Sequence, residues 1–108
     1  MGLLLEDKYK NFDEFYSWYL SQHQNVNTRR MHLLGELTTL GFIATVLLTG
    51  LNLWWLLLAP LIVYPFAWTG HLVFEGNRPA AWNFRRTLPS KVADIRMCTD
   101  MLVGNIPL

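Results

Sequence analysis

Apolar residues fill the middle of the chain, whereas polar and apolar residues alternate on either side of it. No Asp, Glu, Lys or Arg occurs among the 38 residues from 37 to 74. That length suits two helices of about 17–20 residues, each near the minimum for crossing a hydrocarbon core. The segment T-G-L-N at 49–52 favours a turn between them. The pattern therefore predicts a transmembrane helical hairpin, with helices over about 28–48 and 52–74.

A buried helix pair in a soluble four-helix bundle is the alternative interpretation. We favour the membrane hairpin because its second helix has almost no polar face, and a chain of 108 residues offers little to surround it. Asn27 is a good N-cap for the first helix of the hairpin. Pro60 and Pro65 lie inside the second and should kink it.

The flanking segments predict two amphipathic helices. Aromatic and apolar residues recur at helical spacing over 12–22, with Asn11 as N-cap and Glu14 three residues later. A last helix over about 90–103 follows Pro89, with Ser90 as its cap and Gly104 at its end. The predicted fold is all-α, a single membrane-embedded domain over 1–108.

The positive charges predict an orientation. The hairpin turn has no Lys or Arg, whereas both flanks are basic, which places both termini on the cytoplasmic side. The membrane would be the inner membrane of a bacterium or the endoplasmic reticulum of a eukaryote. The net charge of +1 gives no indication of a nucleic-acid partner.

The three histidines all lie at the border of the uncharged region. His23 and His32 are nine residues apart, so they would face opposite ways on one continuous helix. The segment Q-N-V-N at 24–27 supplies a break that lets them converge. His32 then lies one turn into the hairpin, at the depth of His71 near its end. We therefore predict that the three imidazoles form one metal site, which suits Fe²⁺ or Zn²⁺.

Two carboxylates accompany these histidines. Glu36 and Glu75 each follow a histidine by four residues, which places each pair on one helix face. They could be metal ligands or acceptors for imidazole N–H groups, and the spacing leaves both roles open. Gly35 and Gly70 would allow the two helices to approach closely.

Other interpretations of these polar residues stand beside the metal site. A single histidine at an interface is more often structural than a metal ligand. Arg29, Arg30 and Arg78 are most simply positive anchors, but one of them could clamp an anionic head group. A di-iron site normally draws on more carboxylates and histidines than this chain offers. Nucleophile elbows, phosphate loops and CxxC motifs are absent from the sequence.

Two motifs resemble a known family. The segment Y-L-S-Q-H-Q-N-V-N-T-R-R-M-H-L-L-G at 19–35 and G-H-L-V-F-E-G-N-R-P-A at 70–80 flank the hairpin, and D-I-R-M follows at 94–97. Over about 12–107 the chain is similar to the small membrane proteins of the 2-hydroxy fatty acid dioxygenase family. The sequence departs from the family at two positions. A proline is expected near Thr87, but Pro89 is slightly displaced from that place. Val26 stands where the family frequently has another proline.

The resemblance implies an Fe²⁺-dependent dioxygenase of fatty acid α-oxidation. It would convert a 2-hydroxy fatty acid into the acid one carbon shorter, using O₂ and no 2-oxoglutarate. The residues that the resemblance assigns to iron are His23, His32 and His71, with Glu75 as a further catalytic candidate. The expected substrate-binding residues are Arg30, Arg78, Asn27 and Asn77.

Two other functions remain open from the sequence. One is a non-catalytic membrane or lipid-interaction protein with structural histidines, and the other is a zinc-dependent membrane hydrolase. The expected partners are the 2-hydroxy fatty acid, O₂ and membrane lipid, without nucleic acid, and the sequence leaves a homo-oligomer open.

Overall fold

The computed structural model describes residues 9–79, 82 and 86–108, and its regular structure is helical throughout this part of the chain. Helix α1 covers Phe12–Ser21, α2 covers Val26–Thr49, α3 covers Ala59–Thr69 and α4 covers Thr87–Leu102. A 3₁₀ segment, Leu53–Leu58, precedes α3, and a π-helical turn, Gly70–Glu75, follows it. The all-α prediction, an apolar hairpin flanked by two helices, is confirmed.

Two predicted helix starts are wrong. Helix α2 begins at Val26 because Asn25, which has extended backbone angles, caps it by accepting a bond from the Asn27 N–H at 2.8 Å. Asn27 is therefore already helical. Helix α4 begins at Thr87, so Ser90 lies inside it and is not its cap. Pro89 is tolerated in this first turn because the first N–H groups of a helix have no intrahelical partner. The predicted cap of α1 is confirmed, since the Asn11 Oδ1 accepts from the Glu14 N–H.

The second arm of the hairpin is not one uniform helix. Pro60 lies in the first turn of α3, where the 3₁₀ segment becomes α-helical, and Pro65 lies inside α3. Both arms end in left-handed glycines: Gly50 has φ 74° after α2, and Gly76 has φ 77° after the π turn. The predicted turn therefore begins at Gly50, as the T-G-L-N segment suggested.

Gly35 and Gly70 allow the two arms to pack closely. A Cβ on Gly35 would lie 2.9 Å from Val63 Cγ2, and one on Gly70 would lie 3.2 Å from Thr28 Cα. Both positions thus need the smallest residue, which confirms the predicted close approach beside the histidines.

The outside of the hairpin is apolar and exposed. Both arms are long and apolar enough to cross a membrane, and only 28% and 22% of their most apolar windows are buried inside the protein. The core helices of a soluble bundle would be mostly buried, so this exposure disfavours that alternative. Large side chains on this surface include Leu40, Leu47, Leu48, Trp54, Leu57 and Leu61.

Helices α1 and α4 pack together at the histidine end of the hairpin. Their shared core is the buried cluster Phe15, Tyr16, Tyr19, Ala93, Met97 and Met101. At its edge the Tyr16 hydroxyl donates to Asp100 Oδ2 at 2.6 Å, and Arg96 pairs with Asp13 at 2.9 Å. The two flanking helices thereby form a packed layer at this end of the hairpin.

Candidate metal centre

The three histidines converge in the interior, as the chain break predicted. His23 follows α1, His32 lies in the second turn of α2, and His71 lies in the π turn. Their exposed fractions are only 1%, 4% and 1%. The Nε2 atoms of His23 and His32 are 3.2 Å apart, and those of His32 and His71 are 3.3 Å apart. Within the described residues this is the one group of its kind arranged to hold a metal ion.

Each imidazole uses its other nitrogen to bond an acceptor. The Nδ1 of His23 lies 2.6 Å from the Tyr19 carbonyl oxygen, and the Nδ1 of His32 lies 2.9 Å from Asp94 Oδ1. The Nδ1 of His71 lies 2.6 Å from Asn77 Oδ1. A carbonyl and a carboxylate oxygen only accept, so these Nδ1 atoms carry the proton.

This tautomer has a direct consequence for the Nε2 atoms. With Nδ1 protonated, each neutral imidazole presents an unprotonated Nε2 lone pair. Three lone pairs therefore meet at separations where no hydrogen bond joins them, and a cation relieves this repulsion. With metal–nitrogen bonds of about 2.0–2.1 Å, the two separations that involve His32 would subtend roughly 105° at the metal. That angle lies between those of octahedral and tetrahedral coordination, so the residues fit a three-histidine metal site.

His23 is electrically suited to this arrangement. Burial lowers the pKa of its imidazole well below the ordinary value, and the neighbouring His32 and His71 lower it further. Its ring also stacks on Tyr19, with centroids 4.1 Å apart. His23 is therefore held as the neutral form that a metal requires.

Asp94 positions His32, and the sequence reasoning missed it. Its carboxyl is almost fully buried, and burial alone would raise its pKa. The hydrogen bond from His32 outweighs this effect and holds the pKa of Asp94 below its usual value. A signal was present, because Asp94 lies on the same face of α4 as the buried Met97 and Met101.

Asn77 positions His71 together with the π turn. The His71 carbonyl accepts from the N–H groups of Gly76 at 2.7 Å and of Asn77 at 3.1 Å. The Asn77 amide group meanwhile donates to the Gln22 carbonyl at 3.0 Å while its oxygen faces His71. The sequence predicts Asn77 as a substrate-binding residue. In the structure, both polar groups of its side chain form hydrogen bonds within the protein.

Glu75 and Arg29 hold the loop that carries His23. The two Glu75 carboxylate oxygens accept from the backbone N–H groups of Gln24 at 3.1 Å and Asn25 at 2.8 Å. Arg29 Nη1 also donates to the loop, to the carbonyls of His23 at 3.0 Å and Gln24 at 3.1 Å. The Glu75 oxygens therefore face the loop backbone. Because these contacts fix residues 23–25, they set the position of the first imidazole.

The second carboxylate, Glu36, also serves another partner. It forms an ion pair with Lys91 of α4 in a partly buried position. This bond joins α2 to α4 one turn beyond the contact between His32 and Asp94. Glu36 thus reinforces the packing of α4 on the hairpin.

The remaining predicted site residues are exposed. Arg30 contacts Asn27 Oδ1 and, at 3.4 Å, the carbonyl oxygen of Leu108. It lies two residues from His32, which places it on the opposite side of α2. Arg78 is also exposed, next to the buried Pro79. The structure does not bring Arg30 and Asn27 to the histidines, and their role toward substrate stays a prediction, as does that of Arg78.

The fold and this centre define a class of protein: an apolar helical hairpin with a buried three-histidine cluster at the end where its arms meet the flanking helices. The family model described as 2-hydroxy-palmitic acid dioxygenase Mpo1-like matches residues 9–106. The chain belongs to this family, as its two motifs predicted. Comparisons with curated proteins and with solved structures give no match.

Proposed function

We propose that this protein is a non-haem Fe²⁺-dependent dioxygenase that shortens 2-hydroxy fatty acids by one carbon. The observation that carries the proposal is the convergence of three unprotonated Nε2 atoms in a family whose name denotes 2-hydroxy-palmitic acid dioxygenases. Three histidines leave coordination positions open for substrate and O₂, as in other non-haem iron oxygenases.

The proposed reaction balances without a further reductant. A 2-hydroxy fatty acid and O₂ give the acid one carbon shorter, CO₂ and H₂O. The bond between C1 and C2 breaks, the substrate gives up four electrons, and O₂ takes up four. No 2-oxoglutarate is needed for this balance. Bound iron would supply the one-electron chemistry that lets O₂ react with a closed-shell acid.

The side chains of the protein fix the site. His23, His32 and His71 would hold the metal through Nε2, while their Nδ1 protons stay on fixed acceptors. Such acceptors orient the imidazole rings and raise their basicity. Burial of the three rings limits the access of water to the site.

The hairpin would keep the acyl chain in lipid. We place both arms across the membrane, with the two termini and the histidine end on the cytoplasmic side, because the basic residues lie on the flanks. A fatty acid could then remain in the bilayer while its polar head reaches the histidines. The membrane is the bacterial inner membrane or, in a eukaryote, the endoplasmic reticulum.

A zinc-dependent hydrolase is the second candidate. The same nitrogen separations suit a tetrahedral Zn²⁺ with three histidines and an open fourth position. A purely structural role for the histidines is disfavoured, because structural imidazoles would use their Nε2 atoms for hydrogen bonds to acceptors or donors.

Metal and product analysis test the proposal together. Wild type, His71→Ala and the surface control Ser17→Ala are purified anaerobically in detergent, and their iron and zinc contents are measured. Each is then given 2-hydroxypalmitate and O₂. We expect about one iron per chain in wild type and Ser17→Ala, with the C15 acid and CO₂ formed in equal amounts. His71→Ala should lose both metal and product. Zinc without O₂ consumption would favour the hydrolase, and wild type that takes up neither metal would overturn the metal site.

A further inference from the structure

A small cavity lies beside the metal centre and is not explained by the histidines. Its volume is about 30 Å³, space for roughly two water molecules. His32 and His71 form one end of its lining. One face of the first turns of α4 forms another wall, with Ser90, Lys91 and Asp94, and the Asp94 carboxylate is bonded to His32.

Ser90 is the first sign that this cavity binds a ligand. Its side chain is 5% exposed, yet its Oγ has no hydrogen-bond partner among the described residues. A buried hydroxyl without a partner loses free energy that a ligand oxygen would restore. Ser90 lies inside α4 and does not cap it, so helix capping does not explain a serine at this position.

Lys91 is the second sign, because it brings a positive charge to the same wall. Its ammonium group has three N–H donors, and the ion pair with Glu36 uses one of them. The side chain is 29% exposed. The positive end of the α4 helix dipole lies at Thr87, which also lines the cavity, and adds to the attraction for an anion. Asp94 is bonded to His32 and Glu36 to Lys91, so the groups left on this wall to bind a carboxylate are the remaining Lys91 N–H donors and the Ser90 hydroxyl.

The opposite wall suits an acyl chain. It is formed by α3 through Val63, Tyr64, Ala67 and Trp68. Trp68 is 39% exposed and connects this wall to the apolar outer surface of the hairpin. A ligand with an anionic head and an apolar tail could thus place its head in the cavity and its tail toward lipid.

We propose that Ser90 and Lys91 form the head-group site of the protein, where they bind the carboxylate of a fatty acid whose 2-carbon faces His32 and His71. This inference rests on the proposed function for the identity of the reacting acid. In this proposal Lys91, and not one of the exposed arginines, supplies the positive charge that binds the carboxylate. Helix α4 is then the element that selects acids over neutral lipids.

Binding and kinetics are measured on the full chain in nanodiscs. Octanoate and octanol serve as soluble probes that lack the 2-hydroxyl and cannot react, and 2-hydroxyoctanoate serves as substrate. The variants are Ser90→Ala, Lys91→Gln and Lys91→Arg, with Ser17→Ala and Lys10→Gln as exposed controls of the same residue types. Arg30→Gln tests the competing head-group clamp.

We expect wild type and both controls to bind octanoate more tightly than octanol. Lys91→Gln should weaken octanoate binding and raise KM about tenfold while kcat changes little, and Lys91→Arg should restore most of the loss. Ser90→Ala should weaken binding about threefold or more, yet leave the thermal unfolding temperature unchanged or higher, because the hydroxyl has no protein partner to lose.

The result that overturns the inference is octanoate binding that Lys91→Gln and Ser90→Ala leave intact, or that Arg30→Gln alone abolishes. The failure of the dioxygenase proposal looks different. In that case octanoate still binds in a Lys91-dependent way, but 2-hydroxyoctanoate yields no shortened acid.

Discussion

His32 Nδ1 and Asp94 Oδ1 lie 2.9 Å apart, although 62 positions separate the two residues in the sequence. This bond joins the hairpin to the last helix and fixes the ring of a metal-binding candidate. We expect Asp94→Ala to weaken metal binding about 10–100-fold, because partners of metal-binding histidines typically contribute that much. Competition with a chromophoric chelator measures the affinity.

Asp94→Asn is the conservative variant and Asp100→Asn the matched control on α4. The asparagine keeps an oxygen that can accept from His32, so it should recover part of the metal affinity lost in Asp94→Ala. Asp100 accepts a bond from Tyr16 at the edge of the core between α1 and α4, and its variant should bind metal as wild type does. If Asp94→Ala kept full affinity, the carboxylate would have no part in holding His32.

Glu75 is predicted to act on the loop and not on the metal. Both of its oxygens accept backbone N–H groups, and glutamine can replace only one of these acceptors. We expect Glu75→Gln to lower the free energy of unfolding by about 1–3 kcal/mol and to keep most of the bound metal. The unfolding free energy and the metal content are measured on the same sample. A variant as stable as wild type but empty of metal would make Glu75 a ligand instead.

Gly70→Ala should destabilise the hairpin by about 1–3 kcal/mol, because its Cβ would press on Thr28 Cα at 3.2 Å and the helices would have to separate. Gly41 offers a control on the same hairpin, since a Cβ there meets nothing within 4 Å. Gly41→Ala should leave the stability unchanged or raise it by up to about 1 kcal/mol. Unfolding curves in one detergent compare the two, and equal effects would argue against close packing at Gly70.

Tyr16 and Asp100 predict a pH dependence of stability. The Tyr16 hydroxyl donates to Asp100, which lowers the pKa of that carboxyl below its ordinary value, with smaller contributions from Asn105 and Arg96. A lowered carboxyl pKa stabilises the fold above the unfolded pKa of about 3.9, and this part is lost as the pH falls through the folded pKa. Tyr16→Phe should cost about 1 kcal/mol at pH 7.

The difference between wild type and Tyr16→Phe should then shrink as the pH falls below about 4. Asp100 lies near the surface, so solvent screening keeps the pH-dependent part small. Unfolding at pH 7, 5 and 3 measures it, with Asp100→Asn as the variant in which this pH dependence disappears. A difference that widened in acid would contradict the assignment.

The sequence was informative where its patterns were local or repeated along the hairpin. The uncharged region predicted two long apolar helices, and the break between His23 and His32 predicted their convergence with His71. Helix starts were less predictable, because Asn25 and Asn27 are both good caps and only backbone angles choose between them. The partners of the histidines were hidden for another reason. Asp94 meets His32 through the packing of α4, which no spacing along the chain reveals.

The role of Glu75 shows the same limit. Its position four residues after His71 places both on one stretch of helix, and that spacing left Glu75 open as a metal ligand or as an acceptor for an imidazole N–H group. The π turn changes the outcome, because the His71 carbonyl bonds to Gly76 five residues on and the carboxylate turns toward the loop at Gln24. A helical spacing rule assumes 3.6 residues per turn and therefore fails where the turn widens.

Metal binding itself should stabilise the protein measurably. In the apoprotein three Nε2 lone pairs face one another, and a bound ion removes this repulsion while it favours the folded state by mass action. At a free metal concentration of about 100 times Kd the gain is about 2.7 kcal/mol, which raises the unfolding temperature by on the order of 10 °C. Thermal scans of chelator-treated protein with added Fe²⁺ under argon, or with Zn²⁺, measure the shift. His71→Ala should lose most of it, whereas Asn105→Ala, a surface variant near the C-terminal end of α4, should keep it. An equal shift in wild type and His71→Ala would mean that the ion acts elsewhere on the protein.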